Sequence, residues 1–236
     1  MLEFRNVTKQ YRRRRALDGV SFSLEAGRTC LLLGPNGSGK TTLMKLAAGL
    51  ARQTSGEVLL EGQRIGAATK ALSAYMPTEN YFYNYMTVAD AGKYYRDFFE
   101  DFRPDRFRQH LSGMELDEAA RIRQLSSGMA AKLRLALILS RDAKLMMFDE
   151  PLNGVDILTR QQVIGAITAA RDPGRTLLIS THLVDELETV VDTCVFLKDG
   201  ALVAAGPRDE VCAGQTLKDR YIEIYGRHDE GGEAHA

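Results

Sequence analysis

Cysteine is scarce in this 236-residue chain: Cys30, Cys194 and Cys212 are its only three, far apart and odd in number. A disulfide framework is therefore not expected. Cys30 and Cys194 lie inside apolar, strand-like runs, which points to reduced, buried thiols in a cytoplasmic protein. Net charge is missing too, since 31 Lys and Arg balance 31 Asp and Glu. Without a basic excess, no nucleic-acid partner is expected. No apolar run approaches the roughly 20 residues that span a bilayer, and the opening MLEFRNVTKQ has no apolar core of the signal-peptide kind. Any role at a membrane is thus expected to run through a partner. Internal repeats and low-complexity segments are absent as well.

What the chain does have is GPNGSGKT, comprising Gly34, Pro35, Asn36, Gly37, Ser38, Gly39, Lys40 and Thr41 and followed by Thr42. The apolar run Thr29 to Leu33 predicts a buried strand before it, and Leu43 to Leu50 a helix after it. The segment therefore falls where a helix N-terminus aims backbone N–H groups outward, at an anion. Gly37 and Gly39 permit close approach of the backbone to a triphosphate. Lys40 can reach the terminal phosphates, and the Thr41 hydroxyl can hold Mg²⁺.

The surrounding pattern is mixed. Short apolar stretches at Leu2 to Val7, Val20 to Leu24 and Glu57 to Leu60 predict strands around the loop. Thr87 with Asp90 forms a capping box that opens a helix, and Pro104 restarts a second. A helix from about Met129 to Ser140 is apolar nearly all round and is expected to be buried. Strands at Leu145 to Phe148, Thr176 to Ser180 and Thr193 to Lys198 alternate with helices at Ile157 to Arg171 and Val184 to Val191. That alternation predicts a parallel sheet with helices on its faces, interrupted by a helical insertion.

The strand Leu145 to Phe148 runs into Asp149 and Glu150. Two carboxylates at the carboxyl end of a buried strand lie where α/β sheets bind ligands. Asp149 is placed to bind Mg²⁺ through water, and Glu150 to orient the water that attacks a γ-phosphate. His182 follows the strand LLIST; taken alone, a histidine there is more readily a satisfied structural residue.

The order of these motifs, with LSSGM at Leu125 to Met129, resembles that of the ABC-type ATPases, over about residues 2 to 206. GPNGSGKT matches that family's Walker A motif, LMMFDE its Walker B motif, and LSSGM its LSGGQ signature with Ser127 and Met129 substituted. Asp156 matches the D-loop, His182 the switch histidine, and Tyr11 the aromatic residue on which adenine stacks. The resemblance implies a P-loop NTPase (RecA-like) α/β core with an N-terminal antiparallel β subdomain and an inserted α-helical subdomain. It implies catalytic roles for Lys40, Glu150 and His182, and ATP and Mg²⁺ as ligands. It also implies a head-to-tail homodimer, or pairing with a similar ABC subunit, in which Ser126, Ser127 and Gly128 of one protomer meet the ATP of the other. The local pattern agrees, because these three residues open a helix whose free N–H groups favour an anion. One ABC ATPase domain is expected: residues 1–79 and 143–206 as catalytic core with its β subdomain, 80–142 as helical subdomain, and 207–236 as a tail ending in GGEAHA.

One residue of that pattern is lacking. After the strand Ala74 to Met76 the family has a glutamine that touches Mg²⁺, whereas here the chain reads Pro77, Thr78, Glu79. By position Thr78 takes its place, reaching a metal only through water; Glu79 reaches but adds charge. Comparable losses in the separate-subunit antibiotic and multidrug exporters, with the FFEDF segment, favour an exporter subunit at the cytoplasmic face of the cell membrane, driving an integral membrane subunit. An importer subunit or a soluble regulatory ABC ATPase are the alternatives, and the transported substrate is not readable. The run Arg12 to Arg15 reads first as a solvated basic hairpin, with help to Tyr11 in holding the nucleotide as the alternative. Tyr81, Phe82, Tyr83 and Tyr85 are either a docking surface for the membrane subunit or the core of the small lobe.

Overall fold

The computed structural model describes residues 1–226, so the GGEAHA terminus lies outside the described residues. Two sheets organise the chain. The first pairs β1 (Leu2–Tyr11), β2 (Arg14–Leu24), β4 (Ser55–Leu60) and β5 (Gln63–Arg64) antiparallel in the order β2-β1-β4-β5. The second has the order β10-β9-β3-β8-β7-β6, built from β3 (Thr29–Leu33), β6 (Ser73–Met76), β7 (Leu145–Asp149), β8 (Thr176–Thr181), β9 (Thr193–Lys198) and β10 (Ala201–Pro207). Five of its strands run parallel, and only β10 returns antiparallel on β9.

The parallel strands read as unbroken apolar runs because both of their faces are covered. Along β3, Leu31 and Leu33 point into one core cluster with Phe148 and Phe196, while Cys30 and Leu32 point into another with Leu43 and Met44 of α1 (Lys40–Ala47). All three cysteines are free and buried, and burial first of all pushes the Cys30 thiol pKa up. Short α2 (Ala67–Ala71) leads into β6.

Between β6 and β7 the chain folds into helices. In α3 (Val88–Phe98), Thr87 Oγ1 accepts from Asp90 N at 3.1 Å, while Asp90 Oδ2 accepts from Thr87 N at 3.1 Å. This is the expected capping box. α4 (Pro104–Gly113) starts on its proline, and α5 (Ser127–Leu139) buries Leu133, Leu135, Leu137, Ile138 and Leu139 as its apolar girth requires. α6 (Ile157–Ala169) connects β7 to β8.

One expectation is corrected. Val184 to Val191 is not an α-helix but two single 3₁₀ turns, Val184–Glu186 and Glu188–Val190. Val184, Leu187 and Val190 are buried at every third position, the period of a 3₁₀ turn rather than of an α-helix, and Val191 just past the second turn is buried too. Within the stretch read as the tail, the described residues form α7 (Arg208–Cys212) and α8 (Leu217–Tyr225), with Cys212 and Leu217 buried in the main core.

Candidate functional site

Strand order decides what meets at the carboxyl edge of the parallel sheet. β3, β8, β7 and β6 are consecutive neighbours, with Leu33 beside Thr181 and Asp149 beside Ser180. Their ends therefore deliver the phosphate loop, His182, the Asp149–Glu150 pair and Thr78 to one place.

The loop turns into α1 at Gly39, whose φ of 109° is a left-handed value; a Cβ there would lie 2.6 Å from the Ala16 carbonyl of β2. Only glycine fits. Helix α1 consequently begins at Lys40, three residues earlier than the sequence predicts, and Lys40 and Thr41 occupy its first turn. Lys40 is 6% exposed and donates to the carbonyls of Gly34 at 2.7 Å and Pro35 at 3.2 Å. Its charge is balanced by Glu150 Oε1 at 3.4 Å, an ion pair that lacks hydrogen-bond alignment.

Asp149 is buried, and three hydroxyls hold its carboxylate. Thr41 Oγ1 donates to Oδ1 at 3.2 Å, Ser180 Oγ to Oδ1 at 2.7 Å, and the Tyr75 hydroxyl to Oδ2 at 3.0 Å. Burial first, then Asp149, raises the Tyr75 pKa, so its hydroxyl stays a donor. Glu150 has φ 48°, a strained value for a side-chain-bearing residue, fixed by its N–H donating to Ser180 Oγ at 2.9 Å and Ser180 O at 3.1 Å. The strain aims its carboxylate at His182, whose Nδ1 lies 2.8 Å from Oε2. Thr78 is close by, its Oγ1 donating to the Asp149 carbonyl at 3.2 Å, and the Thr78 carbonyl accepts from Arg134.

Beside these groups lies a cavity of about 390 Å³, lined among others by Tyr11, Arg14, Asn36, Gly37, Lys40, Thr41, Thr42, Thr78, Glu150 and Asn153. Its volume and its ring of N–H, hydroxyl and cationic donors fit a nucleotide triphosphate. Two buried oxygens at the site, Ser38 Oγ and Glu150 Oε1, have no hydrogen-bond partner among the described residues. No group of three or more His, Cys, Asp or Glu residues among the described residues is arranged to hold a metal. One hydroxyl and one carboxylate, Thr41 and Asp149, are instead the hard-oxygen pair that suits a Mg²⁺ completed by water and phosphate oxygens.

Ser126, Ser127 and Gly128 do not line this cavity. Ser126 caps α5, its Oγ accepting from Met129 N at 3.2 Å, and Ser127 Oγ donates to the Gly154 carbonyl at 2.7 Å. Asp156 caps α6 through Thr159 N at 3.0 Å and Thr159 Oγ1 at 2.7 Å. Signature and D-loop thus form a second cluster, joined to each other.

Sequence reasoning missed Tyr75, Ser180 and Asn153. Ser180 stands two residues before His182 at the same strand end, a signal that was there to find; nothing local marks Tyr75. Of the basic run, Arg14 reaches the site, its guanidinium donating to the Gly37 carbonyl at 3.2 Å, whereas Arg15 pairs outward with Asp18.

The family described as "ABC transporter" matches residues 17–153. An ABC transporter ATP-binding protein of Synechocystis sp. is 33% identical over 204 residues, 83% of this chain and 58% of that protein. The ABC transporter ATP-binding protein YtrB of Bacillus subtilis is 31% identical over 229 residues, 95% of this chain and 76% of that protein. Further relatives are named for Nod factor export, in Neorhizobium galegae, and for petrobactin import, in Bacillus subtilis. The chain spans 58% and 62% of the lengths of its Synechocystis and Nostoc relatives. In fold it is similar to a solved ATP binding subunit of an ABC transporter, with TM-score 0.86 and 24% identity over 95% of this chain and 99% of that one. A phosphate loop, a capped signature helix and a strand-end carboxylate pair in this order and arrangement, with those matches, place the chain in the ABC transporter family.

Proposed function

We propose that the chain is the ATP-binding and ATP-hydrolysing subunit of a transporter, acting on a separate integral membrane subunit. The observation that carries this reading is that Lys40, Thr41 and Glu150 line one cavity of about 390 Å³, with Asp149 bonded to Thr41 and His182 to Glu150, and with the signature cluster outside it. Glu150 orients the attacking water, and His182 steadies its carboxylate and reaches the γ-phosphate. Lys40 leaves the loop carbonyls for the phosphates, and Tyr11 receives the base. Thr41 and Asp149 would hold Mg²⁺, with Thr78 contributing through water, and the ion would supply neutralisation of the phosphate charge.

A site whose signature lies elsewhere on the same chain is completed by a second copy, or by a paired ABC subunit, docking head to tail. Ser126, Ser127, Gly128 and Asp156 then belong to the partner's nucleotide. The three-part division at residues 1–79 with 143–206, 80–142 and 207–236 is the corresponding domain reading. Peripheral attachment at the cytoplasmic face, through that membrane subunit, is the corresponding location; among the described residues no helix is long and apolar enough to cross a membrane. Export is the preferred direction, on the absent glutamine and the FFEDF segment; relatives are named for both directions.

Purified chain should bind ATP and release phosphate in the presence of Mg²⁺, and Lys40→Ala should lose that binding while staying folded. Equal affinity in a folded Lys40→Ala protein would sink the reading. Copurification of an integral subunit from native membranes would identify the partner and the direction.

A further inference from the structure

The last described helix, α8, touches the root of the phosphate loop. The Tyr225 hydroxyl donates to two carbonyls, Leu197 at 2.9 Å and Leu33 at 3.2 Å. Leu33 is the last residue of β3, and its carbonyl belongs to the peptide that leads into Gly34. Leu197 borders the same residue: a Cβ on Gly34, whose φ is 153°, would lie 2.4 Å from the Leu197 carbonyl. The Tyr225 ring is stacked on Phe196 at 6.2 Å and rests on Tyr221 at 4.6 Å, which fixes where the hydroxyl points. Burial, the largest cause, pushes its pKa up, so it remains a proton donor. At its other end α8 is fastened to the segment after His182, with Leu217 N donating to Glu188 Oε1 and Lys218 paired with Asp185, each at 2.8 Å.

We propose that Tyr225 is a positioning residue for nucleotide binding, its hydroxyl fixing the Leu33–Gly34 peptide from which the phosphate loop springs. The proposal rests on the reading of the cavity as an ATP site. Lys40 also pins this stretch, through the carbonyls of Gly34 and Pro35, the second of which accepts from Ser38 N as well, at 3.2 Å. When Lys40 turns to the phosphates, those two bonds are given up at the moment the loop's N–H groups must stay aimed. Tyr225 makes no contact that a nucleotide has to break, so its hold persists. A loop kept in register by a fixed root has less conformational freedom to lose on binding.

The test is nucleotide affinity of the full chain, measured with a fluorescent ATP analogue in EDTA so that no turnover intervenes. Tyr225→Phe deletes the hydroxyl and keeps the ring on Phe196. Affinity should fall roughly three- to tenfold, the size of one net hydrogen bond. With saturating ATP and Mg²⁺, kcat should stay near the wild-type value, a split that general loosening of the fold would not give. Lys218→Ala loosens the far end of α8 without touching the loop and should bind as tightly as wild type. Thermal melts fix a temperature at which all three proteins are folded. Unchanged affinity in Tyr225→Phe, or an equal loss in Lys218→Ala, would overturn the proposal. Failure of the wild-type chain to bind the analogue would instead remove the ATP reading itself, and this proposal with it.

Discussion

Nδ1 of His182 stands 2.8 Å from Oε2 of Glu150, and Nζ of Lys40 stands 3.4 Å from Oε1 of the same carboxylate. Glu150 is thus held between a cation of the phosphate loop and an imidazole from the neighbouring strand, with its backbone in a left-handed conformation. Such a group has one orientation to offer, and that orientation opens onto the cavity.

The first prediction separates binding from turnover at this residue. Glu150→Gln keeps shape and hydrogen bonding but removes the base-like charge, so ATP affinity should survive while phosphate release falls by about 10²-fold or more. On size exclusion with ATP and Mg²⁺ the variant should shift toward a dimer, and adding Ser126→Arg should abolish the shift. A dimer that forms equally without nucleotide would count against head-to-tail docking.

Asp149 supports a second prediction, because three hydroxyls fix its carboxylate and Thr78 holds its carbonyl. Removing one outer partner of a metal ligand costs roughly 10-fold or more in metal affinity. Tyr75→Phe, and separately Thr78→Ala, should raise the Mg²⁺ concentration for half-maximal hydrolysis while ATP binding in EDTA stays constant. Wild-type Mg²⁺ titrations in both would show that neither residue positions the metal.

The aromatic cluster before α3 divides in two. Phe82 is 9% exposed and packs with Tyr95, and the hydroxyls of Tyr81 and Tyr95 meet at 2.5 Å. Tyr83 and Tyr85, 65% and 73% exposed, stack on each other at 5.4 Å. Phe82→Ala should destabilise the protein by about 3 kcal/mol or more. The double change Tyr83→Ser with Tyr85→Ser should alter stability by only about 0.5 kcal/mol, yet release the chain from membranes that carry its partner subunit. Chemical denaturation beside a membrane-flotation assay checks both, and retained flotation would move the docking surface elsewhere.

A pH prediction concerns His110 on α4. Its pKa is lowered, first by burial and then by Arg106 beside it, so the folded protein resists its protonation. The unfolded chain binds that proton at about pH 6.5. As pH falls through about 6.5 the unfolded state gains a proton that the native state does not, and stability drops until the lower folded value is passed. Melting temperature should therefore decline on acidification from pH 7, and His110→Asn should flatten that part of the profile. Parallel slopes for variant and wild type would clear His110 of the effect.

The sequence by itself determined whatever is written in neighbouring residues. The phosphate loop works through backbone N–H groups of consecutive residues, so GPNGSGKT specifies it locally. The Thr87–Asp90 capping box and the buried girth of α5 follow from spacings within one helix, and the apolar runs of β3, β7 and β8 announce strands covered on both faces. What the sequence could not carry is who meets whom across long separations. Tyr75, Asp149 and Ser180 come from three different strands, and only the order β8-β7-β6 brings their side chains together. Tyr225 reaches Leu33 from 192 positions away, and no local pattern marks a tyrosine near a C-terminus as a brace for a loop near the N-terminus. Phe82 and Tyr83 are adjacent and chemically alike, yet one is core and the other surface. Burial depends on what packs against a side chain, and that is a property of the assembled tertiary structure.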